Sequence, residues 1–396
     1  MVSSARGGLV MVAYTYYPWD PRVRREAETL SRRGHSVTVL CCREPGQQAR
    51  ELVAGVTAVR LPLTIRRGGR ARYVFQYGLF FLLAIRALRG LRPSAVHVHS
   101  VPDLLAFTAL GPRLRRVPLT LDLHEAMPEL VAARFPNARF AFLLALVAER
   151  LSCGLATRIL VVNETIRDLL VARSAPMDRV TVLYNSPDEA VEDRSSPQPR
   201  GETLRLVYAG TLDRERDLET LIRAVATLRP TLLTSLVVYG RGDPTYRAYL
   251  EGLVSGLELE DLVRFGGVLP SERVLAHLAG SDLGVVTYAR NPLTEVALPN
   301  KVFEYVALDK PLVLPDLRAL RRVFDGAAWF YQPGNAWDLA AKIREAALAG
   351  DASTSRRERA RVVYAGTRWE VQAERLASLY TPTRKTLAPG GRATCM

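Results

Sequence analysis

The chain has 396 residues, 48% hydrophobic and 24% charged, which excludes a disordered or fibrous protein and leaves room for two domains of about 200 residues each. The formal net charge is +14, and since lysine occurs only at Lys301, Lys310, Lys342 and Lys385, nearly all of the positive charge is arginine. Such a bias follows either from the gene's nucleotide composition or from a surface that faces anions such as nucleotide, phospholipid or nucleic acid.

The first half alternates strands and helices. Residues 9–14 (LVMVAY) form a short apolar run and predict a buried parallel strand. Asp20 then caps a helix whose first position is Pro21, and Gly34 ends it. Residues 36–42 (SVTVLCC) give the next strand, so the chain opens β-α-β, the grammar of a doubly wound sheet. Cys41, Cys42, Cys153 and Cys395 form no C-x-x-C pair and read as reduced thiols of a cytoplasmic protein. No secretory signal is seen, and the longest uncharged apolar stretches, 77–85 and 140–148, fall short of the ~18 residues that suggest a membrane span.

Further strands are predicted at 95–99, 118–123, 158–162 and 180–183, and helices at 71–91, 103–115, 140–156 and 164–173. The helix at 71–91 mixes apolar residues with arginines, which fits either contact with a membrane surface or a core-packed helix with a solvated edge. His97 and His99 share one face of their strand at a spacing that suits metal, but without an evident third ligand a core or cleft role is favoured.

The stretch NSPDEAVEDRSSPQPRGE breaks the pattern and is read as a linker. It divides the chain into 1–185, a linker 186–203, a second Rossmann-like domain 204–365, a last helix 366–381 and a disordered tail 382–396. In the second half, strands are expected at 204–209, 233–239, 264–265, 283–287, 311–314 and 327–331, with a helix at 218–228.

The strongest chemical signal is VALPNKVFEYVALDKPLVL, residues 296–314. Pro299 suits the first turn of a helix, whose free backbone N–H groups attract an anion beside Lys301. Glu304 follows within the first turn, where a carboxylate accepts hydrogen bonds from a ribose. A solvated Lys and Glu on an ordinary capped helix is an equal reading of the local pattern. The second signal, YAGTLDRERDL, ends a strand at Gly210 and brings Arg216 to the next helix start. Arg216 and Lys301 from adjacent strand ends would clamp one pyrophosphate, unless Arg216 merely pairs with Asp213 or Glu215.

The patterns GTLDRERDLETLIRA, VVYGRG and LPNKVFEYVALDKPLV resemble the donor domain of the GT-B retaining glycosyltransferases of family 4. YYPWDPRVRREAETLSRRGHSVTVL resembles the first β-α-β unit of that family, and the likeness runs from about residue 9 to 380. It implies two Rossmann-like α/β domains facing across a cleft, and transfer of a sugar from a nucleotide-diphosphate sugar, UDP- or GDP-linked, with retention. Glu304 matches the second Glu of the E-x7-E motif that binds ribose. Arg216 and Lys301 match the residues that neutralise diphosphate, and His124 matches a His near the sugar. Gly210, Thr211, Tyr239, Gly240, Leu298, Pro299 and Asn300 match positions along the donor, and Val268 falls where backbone groups meet the base.

Two departures stand out. The first Glu of the motif is Val296, with Glu295 one residue away as a substitute, and a phosphate-turn arginine is replaced by Thr211. On the acceptor side lie Asp20, Arg22 and His99, although Asp20 also reads as only a helix cap. No D-x-D stands at a strand end, so no metal or other cofactor is expected. The acceptor expected is a glycan or a lipid-linked hydroxyl at the inner membrane face, with peripheral contact to anionic lipid and no nucleic acid. The rivals are a nucleotide-sugar epimerase, which would use Asp122, Glu125 and Glu129, and a basic binding protein without enzyme activity.

Overall fold

A computed structural model describes residues 7–66, 68–173, 175–187 and 201–381. The first half builds an eight-stranded sheet from β1 (Leu9–Val12), β2 (Val37–Cys42), β3 (Arg50–Val53), β4 (Val56–Leu61), β5 (Ala95–His99), β6 (Leu119–Leu123), β7 (Arg158–Val161) and β8 (Val180–Val182). Their order is β3-β4-β2-β1-β5-β6-β7-β8, parallel throughout except for the β3-β4 pair. β1 and β6 are buried along their whole length because helices cover both faces, which is why they read as unbroken apolar runs.

The β3-β4 hairpin has no counterpart among the predicted strands. β3 is almost wholly exposed, and its turn, Ala54-Gly55, holds both residues at positive φ (49° and 81°) without the usual Asn or Asp. The helix expected at 103–115 is instead a 3-10 segment, Asp103–Ala109, followed by the short helix Leu110–Leu114. Pro112 lacks the N–H that a continuous helix would need there.

The second half carries β9 (Leu204–Ala209), β10 (Thr234–Tyr239), β11 (Val263–Gly267), β12 (Gly284–Val285), β13 (Leu312–Pro315) and β14 (Trp329–Tyr331). They form two parallel trios, β11-β10-β9 and β12-β13-β14. The trios are stitched together beside β9: Asp282 N donates to Arg205 O at 2.9 Å, and Arg205 Nη2 donates to the Asp282 carboxylate at 2.8 Å. The strand order therefore reverses between β1 and β5 in one half and between β9 and β12 in the other, the two places where such sheets bind ligands at their carboxyl ends.

The final helix, Trp369–Tyr380, returns to the first half. Trp369 Nε1 donates to Thr29 Oγ1 at 3.2 Å, and the Tyr380 hydroxyl meets His97 Nδ1 at 2.8 Å. Most of the predicted linker and all of the predicted disordered tail lie outside the described residues.

Candidate active site

The helix that carries Lys301 and Glu304 runs Asn300–Ala307, one residue later than predicted, because Pro299 is extended (ψ 136°) and serves as its N-cap. Val302, Phe303, Tyr305 and Val306 are all buried and fix its orientation, and the Tyr305 hydroxyl donates to Val207 O at 2.8 Å. That packing turns Lys301 and Glu304, three residues apart, onto one face toward the cleft. No side chain caps the helix start.

Lys301 reaches across the end of β9. Its Nζ lies 4.5 Å from the Tyr208 ring centroid and 2.3 Å from where a Cβ at position 210 would stand, so a side chain there would displace the ammonium from this position. Burial pulls the Lys301 ammonium down to about 8, with Glu304 opposing and Arg216 adding to the fall. Burial raises the Glu304 carboxyl, while Lys301 and Arg25 pull it back.

Arg216 ends a 3-10 turn whose start is capped by Asp213, which accepts from Arg216 N at 3.2 Å. The Arg216 carbonyl accepts from Thr287 Oγ1 at 2.6 Å, tying the turn to the carboxyl end of β12. Its guanidinium lies 4.7 Å from the Tyr288 ring centroid and 3.6 Å from the Asp213 carboxylate, so the pairing with Asp213 is present. Gly210, Thr211, Arg216, Leu298, Pro299, Asn300, Lys301 and Glu304 all line one cleft of about 540 Å³, with His124 on its opposite wall. This size fits a small-molecule site, roughly 300–1,000 Å³.

His124 belongs to a buried polar network. Asp122, at the end of β6, accepts from Arg22 Nε and Nη2 at 2.8 and 2.6 Å, and its Oδ2 lies 3.0 Å from both His99 Nδ1 and His124 Nε2. Burial alone would raise the Asp122 carboxyl, but Arg22 and His124 hold it well below the usual carboxylate range. Burial and the charge on Asp122 push the neighbouring Glu26 carboxyl well up, so of the two we assign the negative charge to Asp122 and the proton to Glu26. His97 and His99 are held down by burial and stay neutral. The third and fourth groups that the strand pattern left unseen are thus Glu26 and Asp122, but Arg22 already supplies the cation among them.

Several expectations require correction. Arg22 does not face the acceptor: it is buried, and its guanidinium is consumed by Asp122, Glu26 and the Leu183 carbonyl. Glu295 does not replace the missing first Glu, because its carboxylate turns away to Arg290 and to Arg318 N, the latter at 2.9 Å. Val296 occupies the cleft wall instead, 1% exposed, and its carbonyl accepts from Asn163 Nδ2 of the first domain at 2.9 Å. Asp20 caps the helix Pro21–Arg32, accepting from Arg22 N and Val23 N at 3.1 Å.

Asp20, His99 and His124 also line a smaller cavity of about 220 Å³, so His124 is common to both cavities. Tyr239, Gly240 and Val268 end or follow β10 and β11 but are not among the residues lining the larger cleft. Of the carboxylates that an epimerase would use, Asp122 is engaged as above and Glu129 pairs with Arg173, while Glu125 is exposed and lines both cavities.

Sequence reasoning missed Tyr208, Tyr288 and Asn163, and it named Asp122 only as a carboxylate for the rival epimerase. Only Asp122 left a signal, in DLHE, where strand alternation puts Asp122 and His124 on one side.

Comparison with known proteins places the fold in a family. A family model described as "Glycosyl transferase 4-like domain" matches residues 20–186, and one described as "Glycosyl transferases group 1" matches residues 203–348. An uncharacterized glycosyltransferase of Methanocaldococcus jannaschii, MJ1607, is 24% identical over 198 residues, 46% of this chain and 49% of that protein, so the chain spans about half the length of this curated relative. Among solved structures, sucrose-phosphate synthase from Thermosynechococcus elongatus superposes with a TM-score of 0.75 at 18% identity, covering 94% of this chain and 98% of that one. HepE of Anabaena, in complex with UDP and glucose, gives 0.70 at 14% identity, covering 94% and 99%. These likenesses show the two-domain GT-B fold.

Proposed function

Because the chain belongs to the group 1 glycosyl transferases, we propose that it moves a sugar from a nucleotide-diphosphate sugar to an acceptor hydroxyl, with retention and without a metal. The observation that carries this reading is the convergence of Lys301, Glu304 and Arg216 on the strand-end glycine Gly210 at the switch point between β9 and β12. The diphosphate lies against Lys301, Arg216 and the uncapped helix start, which together supply the positive charge that a divalent ion gives elsewhere. Glu304 accepts the ribose hydroxyls. As the sugar–phosphate bond breaks, charge grows on the leaving diphosphate, where these groups are already in place.

His124, at the junction of the two cavities, stands where donor sugar and acceptor meet. UDP is the preferred nucleotide, since HepE was solved with UDP and UDP-glucose, and GDP is the alternative. The acceptor is a glycan or lipid-linked hydroxyl in cell-surface synthesis. The buried free thiols of Cys41, Cys42 and Cys153 support a cytoplasmic location.

Replacing Glu304 by alanine removes two charge-assisted hydrogen bonds to the ribose. It is expected to lower kcat/KM for the donor by about 10²–10³-fold while leaving the melting temperature of the free protein near that of wild type. Steady-state kinetics with UDP- and GDP-sugars reads this directly, and wild-type turnover in the variant contradicts the ribose assignment.

A further inference from the structure

Thirteen of the twenty-three exposed large hydrophobic side chains among the described residues fall between positions 73 and 151, about a fifth of the chain. On the helix Arg139–Leu155 they are Phe140, Leu143, Leu144, Val147 and Leu151, spaced i, i+3, i+4, i+7, i+11. That spacing is one continuous apolar stripe, and it faces solvent rather than the core. The helix Arg70–Leu91 packs its Phe80, Ala84 and Leu88 into the core and leaves Val74, Phe75 and Leu82 exposed. Both helices pack on the 3-10 segment Asp103–Ala109, and the exposed Leu104, Leu110 and Leu114 lie on or just after that segment.

The charge around this face has one sign. Between residues 61 and 163 there are fourteen arginines, no lysine and five acidic residues. Asp103, Asp122, Glu129 and Glu149 are buried, which leaves Glu125 as the only exposed acid. Arg86, Arg89, Arg115, Arg116, Arg139 and Arg150 are exposed on the elements that carry the apolar side chains. Soluble monomers rarely leave so large an apolar face uncovered. A second copy of the chain, meeting this face through a twofold axis, would oppose arginine to arginine.

We propose that this face, formed by the helices Arg70–Leu91 and Arg139–Leu155 and the turn between β5 and β6, rests on an anionic lipid surface. Phe140, Leu144, Val147 and Val74 dip into the boundary of the acyl chains, and the arginine rim meets the headgroups. The helix Arg70–Leu91 has the length and composition of a membrane span, but Phe80, Ala84 and Leu88 fix it in the domain core, so the protein lies on the bilayer rather than through it. The face borders the cleft: Arg134 lines the cavity, and its charge acts on the Tyr77 phenol of the helix Arg70–Leu91. A hydroxyl carried on a membrane lipid would therefore meet the cleft at its edge. The docking stands without the donor assignment, and only its meaning for turnover rests on the proposed lipid-linked acceptor.

The test is co-sedimentation of the full chain with vesicles of equal parts phosphatidylcholine and phosphatidylglycerol, and with phosphatidylcholine alone. Binding is expected to the anionic vesicles and to weaken with salt, and the double variant Leu143→Glu, Val147→Glu is expected to lose about tenfold or more in partitioning. Its melting temperature and its response to nucleotide should match wild type, because both side chains are solvent-exposed and neither lines the cleft. No binding to either vesicle, equal binding to both, or undiminished binding of the variant would overturn the proposal. So would a dimer in light scattering that the double variant disrupts.

Discussion

Lys301→Ala is expected to lower kcat/KM for sugar transfer by about 10³-fold, the size of effect seen when a preorganised charge is removed from a growing anion. Among the described residues the ammonium is the only lysine lining the cleft, and burial pulls it down to about 8. A buried, partly discharged lysine carries a desolvation cost in the free protein that a bound diphosphate relieves, so the interaction strengthens as charge grows on the leaving group. Arg216 cannot stand in for it, since its guanidinium is held over Tyr288 and beside Asp213. Lys301→Arg is expected to be nearly as poor, because a planar guanidinium does not reproduce the compact ammonium held over the Tyr208 ring beside Gly210. Kinetics at saturating acceptor measures both variants, and less than a tenfold loss in Lys301→Ala contradicts the clamp.

Asp122→Ala is expected to cost about 3–5 kcal/mol of stability, because it leaves Arg22 charged and buried without its partner. The same substitution frees His124, whose ring is held at 3.0 Å by the same carboxylate, so residual folded protein should also transfer poorly. The double variant Asp122→Leu, Arg22→Met removes both charges and should be more stable than Asp122→Ala alone. Chemical denaturation distinguishes these outcomes. A single variant as stable as wild type would mean that the network is not what orders the cleft wall.

How far the sequence carried depends on the kind of interaction. Buried parallel strands such as β1 and β9 are contiguous apolar runs and are legible from local pattern. So is the helix Asn300–Ala307, where Pro299, the apolar periodicity and the flanking strand all agree. Lys301 and Glu304 follow from it because residues three apart on a helix with a buried opposite face can point only one way. What local pattern could not decide was partnership across the fold. Arg22 stands 100 residues from Asp122, and nothing near it in the chain shows that its charge is neutralised inside the core. Glu295 and Val296 are neighbours with opposite fates, settled by where Arg290 and Arg318 lie. The β3-β4 hairpin escaped for a different reason: its outer strand is short and exposed, and its turn uses Ala54 where Asn or Asp would have announced it.

The absence of a carboxylate at Val296 bears on donor choice. The cleft wall there is apolar, formed also by Leu293 and Val162, while the opposite pole carries Lys301, Glu304 and Arg216.

The central claim is that Lys301 meets the diphosphate, and calorimetric titration of a nucleotide-diphosphate sugar at about pH 9 in buffers of different ionisation enthalpy tests it most directly. In the free protein at that pH Lys301 is mostly neutral, and an adjoining diphosphate raises its pKa and recharges it. Binding should therefore take up close to one proton, and affinity should fall by up to about tenfold for each pH unit above 8. In Lys301→Ala the uptake should vanish. Binding without proton uptake in the wild-type protein, or with equal uptake in the variant, would contradict the account.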